Sequence, residues 1–579
     1  SRLQCPHPGG VPSPLRPMRC NLAVLACFAL AAAGAQEHSE AFLKAARQQG
    51  WKSEGPLAAG SHVELTFAVR QANLPELERL FQEVSDPDRP AYGQHLSFEA
   101  VNRLTAPLPE HSALVEEAVR ELRARAVRRT PNGDFVVAEV PVESAERAFG
   151  GRFLAFSRAD GRVSVRCPGA RLPEELAAAV DFVMPLDQPL SRGGPLRLKK
   201  QAAGGTNWSA PEALVNTPSS LRRLYSVGRT EGSADGNKQA VTGFLEQYYT
   251  NIDLQEFFTL FYRKGLGRKV ARKVGDGKSG IAGTEAELDV QYVMAMGGNV
   301  ETEFWSFAGR APGNPKNEPF LKFMTTLSNT SDAPLVISSS YGEDEDSVSK
   351  AYADRCNVEF QKAGVRGISL LFASGDSGVA GDFSCGKECA AGKECFVPMW
   401  PAASPYVTAV GGTSGARKEA GAGLSSGGFS YRWPVPEWQR EAVSGFLAGQ
   451  DLPDRSLFSR AGRGFPDISA QAVNYMVVDL GIPMPVAGTS CASPTAAGII
   501  SLLNDKRLQA KAPPLGFLNP LLYKNPAALN DVTGGCNPGC GSKGFCAVAG
   551  WDPVTGLGTP NYAKLAQLGR GRAAGELVV

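Results

Sequence analysis

Apolar positions in the first third of the chain follow two spacings, one typical of strands and one of helices. Residues 62–69 and 135–140 alternate apolar and polar side chains, which is typical of strands with one buried face. Residues 74–84, 98–104 and 113–126 place apolar side chains three or four positions apart, as amphipathic helices do. This mixture predicts a small α+β domain.

Beyond residue 240 the pattern becomes a regular alternation of short apolar runs and helical stretches. Runs without a polar face are typical of strands buried on both sides. Strands that alternate with helices predict a parallel sheet covered on both faces, with functional groups at the carboxyl ends of the strands. The predicted strands are 240–245, 335–339, 369–373 and 406–410, and the predicted helices are 254–262, 285–296 and 347–363.

Composition narrows the class of protein. The chain has 579 residues, 43% of them hydrophobic, and a net charge of +2. This length suits two or more domains with their own cores. No basic stripe indicates a nucleic-acid partner, and no apolar run reaches the ~18 residues that a membrane span needs.

The N-terminus indicates entry into the secretory pathway. Met18-Arg19, an apolar stretch over 22–33 and the small residues before Gln36 are typical of a signal peptide, which we place at 18–35. Residues 1–17 are interpreted as an upstream extension. Asn207 and Asn329 head glycosylation acceptor sequons, which suit a secreted protein.

A segment rich in Gly, Pro, Ser and basic residues spans 189–218. Such segments are exposed and easily cleaved. We therefore predict a removable domain over 36–200, a cut between about 200 and 215, and a second domain over 201–579.

Gly488-Thr489-Ser490 precedes an apolar helical stretch, which is how a nucleophilic serine is presented at a helix N-terminus. A Ser/Thr cap in front of a core helix is the alternative interpretation. All five histidines lie at or before His111, so a histidine base near Ser490 is not expected. A carboxylate base is expected instead, and with it activity that falls towards neutral pH.

Glu285 and Asp289 are the predicted carboxylates. On a helix they stand one turn apart on the same face, and Glu287 points elsewhere. Repulsion between two such carboxylates raises the pKa of at least one of them, and the pair can share a proton. A solvated acidic face is the alternative, but apolar residues after Asp289 favour a buried helix.

Asp376 lies in a tight Ser-Gly-Asp-Ser-Gly turn after an apolar run. A protonated carboxyl there can donate a hydrogen bond to a tetrahedral oxyanion. Gly-Asp-Ser-Gly is also the serine motif of chymotrypsin-like enzymes, but that alternative needs a histidine base and an all-β barrel.

Taken together, Glu-x-x-x-Asp, Ser-Gly-Asp-Ser-Gly and Gly-Thr-Ser-x-Ala-Ser-Pro resemble the sedolisin family of serine-carboxyl peptidases. The resemblance implies a subtilisin-like α/β domain in which Ser490 is the nucleophile and Glu285 the general base and acid. Asp289 would be the orienting partner of Glu285, and Asp376 the oxyanion donor. Tyr92-Gly93 and Leu96 are similar to the signature of the family's ferredoxin-like α+β activation domain, which inhibits its own peptidase.

The resemblance also implies one structural Ca²⁺ ion near the C-terminus. Its ligands would be the carboxylates of two aspartates and the backbone carbonyls of three further residues, oxygen donors that suit calcium. These residues are Asp531, Val532, Val548, Gly550 and Asp552. The family often has glycine where Val548 stands.

Eight cysteines lie in the C-terminal domain, and two triplets share the same spacing. A zinc cluster is one interpretation, although the absence of histidine and the secretory route favour disulfides. The resemblance implies a Cys536–Cys546 bridge and a bond from Cys540 to the first triplet, with Cys385 as the candidate. Cys356 and Cys491 are expected to be buried and free.

Four further blocks are similar to an animal, lysosomal branch of the family that releases tripeptides from free N-termini. They are residues 339–346, 405–413, 514–520 and 550–556. An acidic patch would recognise the substrate ammonium, with Glu343 and Asp344 as candidates. Two alternatives stay open: an acid endopeptidase, and a catalytically silent glycoprotein on the same fold.

Overall fold

The computed structural model describes residues 37–568 except 49, 160–162, 189, 191–198, 201–214, 278, 310–318, 382–384, 387–394, 416–417 and 450; for 199–200 it describes the backbone only. The expected extension (1–17), signal peptide (18–35) and Asn207 lie outside these residues. So does most of the expected cleavage segment. Among the described residues, no helix combines the length and apolar character that crossing a bilayer requires.

The N-terminal domain is built on a four-stranded antiparallel sheet of order β3-β4-β2-β7. In chain order this is second–third–first–fourth, the ferredoxin-like arrangement predicted above. A second, three-stranded sheet has the order β1-β5-β6. The strands are β1 (Trp51–Pro56), β2 (His62–Val69), β3 (Ala126–Arg129), β4 (Phe135–Pro141), β5 (Leu154–Arg158), β6 (Val163–Arg166) and β7 (Val180–Met184), and the helices are α1 (37–48), α2 (Leu74–Ser85), α3 (Phe98–Leu104), α4 (Pro109–Glu121), α5 (Val142–Phe149) and α6 (Glu174–Ala179).

The C-terminal domain is organised around one large sheet of order β10-β11-β9-β12-β14-β16-β17, with β20 also paired to β16. Every pair in it is parallel except β16 with β17. The strands that follow β8 (Lys199–Lys200) are β9 (Lys238–Gly243), β10 (Arg272–Val274), β11 (Glu301–Ser306), β12 (Val336–Ser339), β13 (Glu343–Asp344), β14 (Ser369–Ala373), β15 (Met399–Trp400), β16 (Thr408–Ser414), β17 (Ala420–Gly421), β18 (Gly428–Pro434), β19 (Gly462–Phe465), β20 (Ile468–Gln471), β21 (Tyr475–Asp479), β22 (Ile482–Ala487), β23 (Leu529–Asn530) and β24 (Thr559–Pro560).

Helices cover both faces of this sheet, and the sheet separates two hydrophobic cores. On one face α9 packs against α13, and α13 crosses β12, β14, β16 and β20; on the other face α10 and α11 pack together. The helices are α7 (Pro218–Leu224), α8 (Asn251–Phe261), α9 (Thr284–Gly297), α10 (Phe320–Ser328), α11 (Lys350–Val365), α12 (Arg440–Leu447), α13 (Thr489–Gln509), α14 (Asn519–Lys524) and α15 (Tyr562–Leu568). The predicted parallel sheet covered by helices and the predicted α+β domain before it are therefore both confirmed.

Differences from the sequence-based elements have local causes. The helix predicted over 113–126 begins earlier, at Pro109, because proline suits a first helical turn, and it ends at Glu121. The β21–β22 hairpin was not predicted. Pro483 and Pro485 lie within β22, and proline within an apolar run argues against a strand except at a sheet edge.

The two domains meet at α11 through a buried group of charges. Arg355 of α11 lies 3.1 Å from Asp134 and 3.0 Å from Asp181, both of the N-terminal domain, and Lys362 lies 3.0 Å from Asp134. Burial raises the pKa of Asp134, but Lys362 and Arg355 more than offset it and hold that pKa well below its usual range. The N-terminal domain is thus docked by ion pairs that survive mildly acidic conditions.

Candidate active site

Ser490 is the second residue of α13 and is fully buried. The strand β22 delivers it to this position through Ala487 and Gly488. Pro494 cannot donate the helical hydrogen bond to the Ser490 carbonyl. Instead, the hydroxyl of Ser340 lies 3.5 Å from that oxygen. The nucleophile candidate therefore stands at a helix N-terminus, where the helix dipole favours developing negative charge.

Glu285 and Asp289 lie one turn apart on α9, and both are buried. Burial, and then the neighbouring Asp289, raise the pKa of Glu285 well above its usual range. Burial likewise raises the pKa of Asp289 well above its usual range, and a 2.7 Å hydrogen bond donated by Ser340 partly offsets this. Such a pair retains a proton under conditions in which ordinary carboxyls have lost theirs.

The hydroxyl of Ser490 lies close enough to Glu285 to offset part of the rise in the Glu285 pKa. Within the described part of the chain, however, Ser490 Oγ and Glu285 Oε1 form no hydrogen bond of ordinary geometry. The two groups therefore face each other without being engaged. Long or misaligned catalytic hydrogen bonds are common where no substrate is bound.

Asp376 follows β14 at the carboxyl end of the sheet. Its Oδ1 accepts hydrogen bonds from the backbone N–H of Thr489 at 2.6 Å and from the Thr489 hydroxyl at 2.9 Å. Gly375 precedes it with φ +113°, and a Cβ there would lie 2.8 Å from Ser426 Oγ. Glycine is therefore required for the turn that holds Asp376 beside the nucleophile.

All four predicted catalytic side chains thus meet at one end of the parallel sheet. Sequence reasoning missed two supporting residues, Ser340 and Thr489. Ser340 follows β12 directly, so its place at a strand's carboxyl end was the available signal. Glu287 points away as predicted: it accepts hydrogen bonds from the Thr250 N–H at 2.6 Å and from Gln291 at 3.0 Å.

The two candidates for ammonium recognition differ in their surroundings. Burial raises the pKa of Glu343 to about 8, and Ser347 donates a 2.8 Å hydrogen bond to it. Glu343 is therefore uncharged in acid. The carboxylate of Asp344 lies against Gly381, where a Cβ would come within 2.6 Å of Asp344 Oδ2. Asp344 therefore lies beside the segment that follows Asp376.

The residues suggested for calcium form one loop cluster. Asp531 Oδ2 accepts a hydrogen bond from the Gly550 N–H at 3.0 Å, and Asp552 Oδ2 accepts one from the Val548 N–H at 3.1 Å. The Thr555 hydroxyl lies 3.5 Å from the Val532 carbonyl. Among the described residues no three His, Cys, Asp or Glu side chains are grouped as for a metal. Two carboxylates with several carbonyl oxygens nevertheless fit the donor preference of Ca²⁺.

Among the described residues, one disulfide lies within the second cysteine triplet and another links the two triplets. Cys536 is bonded to Cys546, and Cys385 is bonded to Cys540, which are the pairings that the resemblance implied. Cys356 and Cys491 are buried and free. Burial raises the pKa of the Cys491 thiol well above its usual range, so this neighbour of Ser490 is not a thiolate nucleophile.

Both domains of the chain match families of known proteins. Residues 49–188 match the pro-kumamolisin activation domain, and residues 310–514 match the subtilase family. Tripeptidyl-peptidase 1 of Rattus norvegicus is 42% identical over 541 residues, covering 89% of this chain and 93% of the rat protein. The Homo sapiens tripeptidyl-peptidase 1 is 40% identical over 563 residues, covering 94% and 98% respectively.

Among solved structures, a Pseudomonas sedolisin (serine-carboxyl proteinase), complexed with two molecules of pseudo-iodotyrostatin, is also similar. It is 24% identical, with a TM-score of 0.47, and the match covers 61% of this chain and 97% of that chain.

An activation domain followed by a subtilase-type α/β domain defines the class of protein: a serine peptidase made as a zymogen. The chymotrypsin-like alternative is wrong, because the sheet is parallel and covered by helices. At 40–42% identity over most of both chains, the chain belongs to the tripeptidyl-peptidase 1 family.

Proposed function

We propose that this protein is an acid serine peptidase that releases tripeptides from the free N-termini of polypeptides, and that it works in the lysosome. The observation that carries the proposal is the meeting of Ser490, Glu285, Asp289 and Asp376 at one end of the sheet, in a chain of this family. The raised pKa values of Glu285 and Asp289 favour an acidic compartment.

In the proposed mechanism the Glu285–Asp289 pair holds one proton, which lies on Asp289, so Glu285 is ionised. Ser490 Oγ attacks the carbonyl carbon of the third residue and passes its proton to Glu285. Asp289, held by Ser340, orients Glu285. Protonated Asp376 donates a hydrogen bond to the oxyanion, and Glu285 returns the proton to the leaving amine. A water activated by Glu285 then releases the tripeptide from Ser490.

Removal of tripeptides requires recognition of the substrate ammonium three residues from the scissile bond. Asp344 suits this role better than Glu343, because a carboxyl with a pKa of about 8 carries no charge in acid. Asp344 also lies beside the segment after Asp376. Both remain proposed ligands, with Asp344 as the principal one.

The remaining proposals concern maturation and the secreted state. Domain 36–200 would be the inhibitory prodomain, cut between about 200 and 215 to free the catalytic domain 201–579. Asn207 and Asn329 would carry glycans; Asn329 directly follows α10 as its C-cap and is half-buried. Substrates would be peptides and proteins with free N-termini.

The test of exopeptidase action uses a tripeptide-aminomethylcoumarin substrate beside its N-acylated twin, at about pH 4.5 after acid maturation. We expect turnover of the free form only, because the blocked form lacks the ammonium. Turnover of both forms would instead establish an acid endopeptidase. Turnover of neither by the cleaved protein would favour the silent fold.

Calcium is proposed as a structural ion held by Asp531 and Asp552 together with the carbonyls of Val532, Val548 and Gly550. Chelation of the mature enzyme should lower its Tm by about 5 °C, because the ion binds only the folded state. Thermal scans with and without chelator measure this. Asp552→Asn should abolish the difference, and an unchanged Tm in the unaltered enzyme would contradict the site.

A further inference from the structure

The outer edge of β22 leads directly to the nucleophile, since β22 ends at Ala487, three residues before Ser490. On this edge the backbone of β8 pairs antiparallel, with Lys199 opposite Ala487 and Lys200 opposite Val486. A polypeptide that binds this edge in the same direction as β8 passes Ser490 first. It then runs outward, towards the turn of the β21–β22 hairpin.

Beyond that pairing, β22 offers apolar surface in place of hydrogen bonds. Pro483 and Pro485 have no N–H to donate. Ile482 is 60% exposed and Leu480, in the turn, is 63% exposed. Ile252 of α8 is 78% exposed and lies beside this turn, because its neighbour Asp253 accepts hydrogen bonds from the N–H groups of Leu480 and Gly481. We call Ile252, Leu480, Ile482, Pro483 and Pro485 the hairpin strip.

Leu480 is an unusual residue for its position. It has φ +53° and is followed by Gly481 at φ +73°, the left-handed pair of a two-residue hairpin turn. Asparagine is favoured there, and a bulky residue is strained. The fold gains little from a strained leucine that is mostly exposed. A local rule broken without structural benefit points to function.

We propose that the hairpin strip binds the part of a polypeptide substrate that lies beyond the scissile bond. This deepens the proposed function and rests on it. The leaving portion would follow the path of β8 and then lie across the strip. Because the strip offers apolar contact and no N–H donors at its prolines, it would accept many sequences.

The geometry sets a length requirement. Ala487 and Ile482 are five residues apart in an extended strand, which is about 17 Å. A substrate therefore reaches Ile482 and Leu480, the outer part of the strip, only with about five or more residues beyond the scissile bond. A tripeptide-aminomethylcoumarin does not reach it at all.

The test compares the unaltered mature enzyme with the double variant Leu480→Asn/Ile482→Thr on three substrates. These are a tripeptide-aminomethylcoumarin and two peptides with free N-termini, carrying two or eight mostly apolar residues beyond the scissile bond. We expect kcat/KM for the longest peptide to fall about tenfold or more, with the other two unchanged. Leu266→Asn is the matched control, because Leu266 is also exposed, at 50%, and lies outside the strip.

Folding is checked with Leu480→Asn alone, whose Tm should be unchanged or higher because asparagine suits the left-handed turn. An equal loss on all three substrates would overturn the proposal, since the hairpin would then act through Ser490. An unchanged kcat/KM for the longest peptide would overturn the proposal too. This holds even if the double variant slowed precursor maturation or dissociated a dimer in sedimentation, because the strip would then serve maturation or self-association. Cleavage of N-blocked peptides by the unaltered enzyme would refute tripeptidyl specificity instead, while the length dependence would still decide the role of the strip.

Discussion

Replacement of Ser490 by alanine is expected to lower kcat/KM on a free tripeptide-aminomethylcoumarin by about 10⁵-fold or more. Loss of the nucleophile leaves only binding and oxyanion stabilisation, which retain a small residual acceleration. The Ser490→Ala precursor should also stay uncut in acid if it processes itself. Initial rates at pH 4.5 and electrophoresis of the incubated precursor measure the two effects.

A matched control lies on the same helix. Ser493 is also buried, and its hydroxyl lies 2.7 Å from that of Ser338. Ser493→Ala therefore loses one neutral hydrogen bond and should change kcat/KM less than about tenfold. If Ser490→Ala kept most of its activity while Ser377→Ala lost it, the nucleophile would be the serine of the Gly-Asp-Ser-Gly turn.

The sequence predicts the layers of this fold because the patterns that carry them are local. Buried strands such as β14 are short apolar runs, and the spacing of Glu285 and Asp289 places both on one face of a helix. The missing histidine was equally informative. Because no histidine follows His111, the sequence alone argues against the usual histidine base for Ser490.

Other features depend on contacts between distant parts of the chain, which periodicity does not report. Ser340 bonds Asp289 across 51 residues, and Arg355 bonds Asp181 across 174. The β22 strand was missed because its prolines mimic a loop. These prolines lie on an outer edge where no N–H is needed, a fact that only the paired sheet reveals.

Docking of the N-terminal domain also depends on a residue that the pattern did not single out, His95. Its Nε2–H donates a 3.0 Å hydrogen bond to the carbonyl of Pro514, in the C-terminal domain. The ring lies against Gly367 and Gly516, so close that a Cβ on either would collide with it. Within the described part of the chain, Nδ1 has no hydrogen-bond partner. Burial, and then the charge of Arg507, lower the pKa of His95, although the bond to Pro514 partly offsets this.

The coupling between protonation of His95 and docking favours release of the N-terminal domain in acid. A docked His95 stays neutral, whereas an undocked one takes up a proton below its ordinary pKa of 6.5. The undocked state therefore binds more protons, and each pH unit below 6.5 can weaken docking by up to about tenfold. Asp134 cannot act in this window, because its lowered pKa keeps it ionised and paired with Lys362 and Arg355.

We therefore expect His95→Gln to slow acid maturation of the precursor, by about tenfold at pH 4.5, and to flatten its pH dependence between 4.5 and 6.5. Glutamine keeps a donor for Pro514 but cannot take up the proton. Timed electrophoresis of the precursor across this range measures the rate. His62→Gln, in the same domain but on β2, is the control. If His95→Gln matured at the normal rate with the normal pH profile, protonation of His95 would not be what releases the domain.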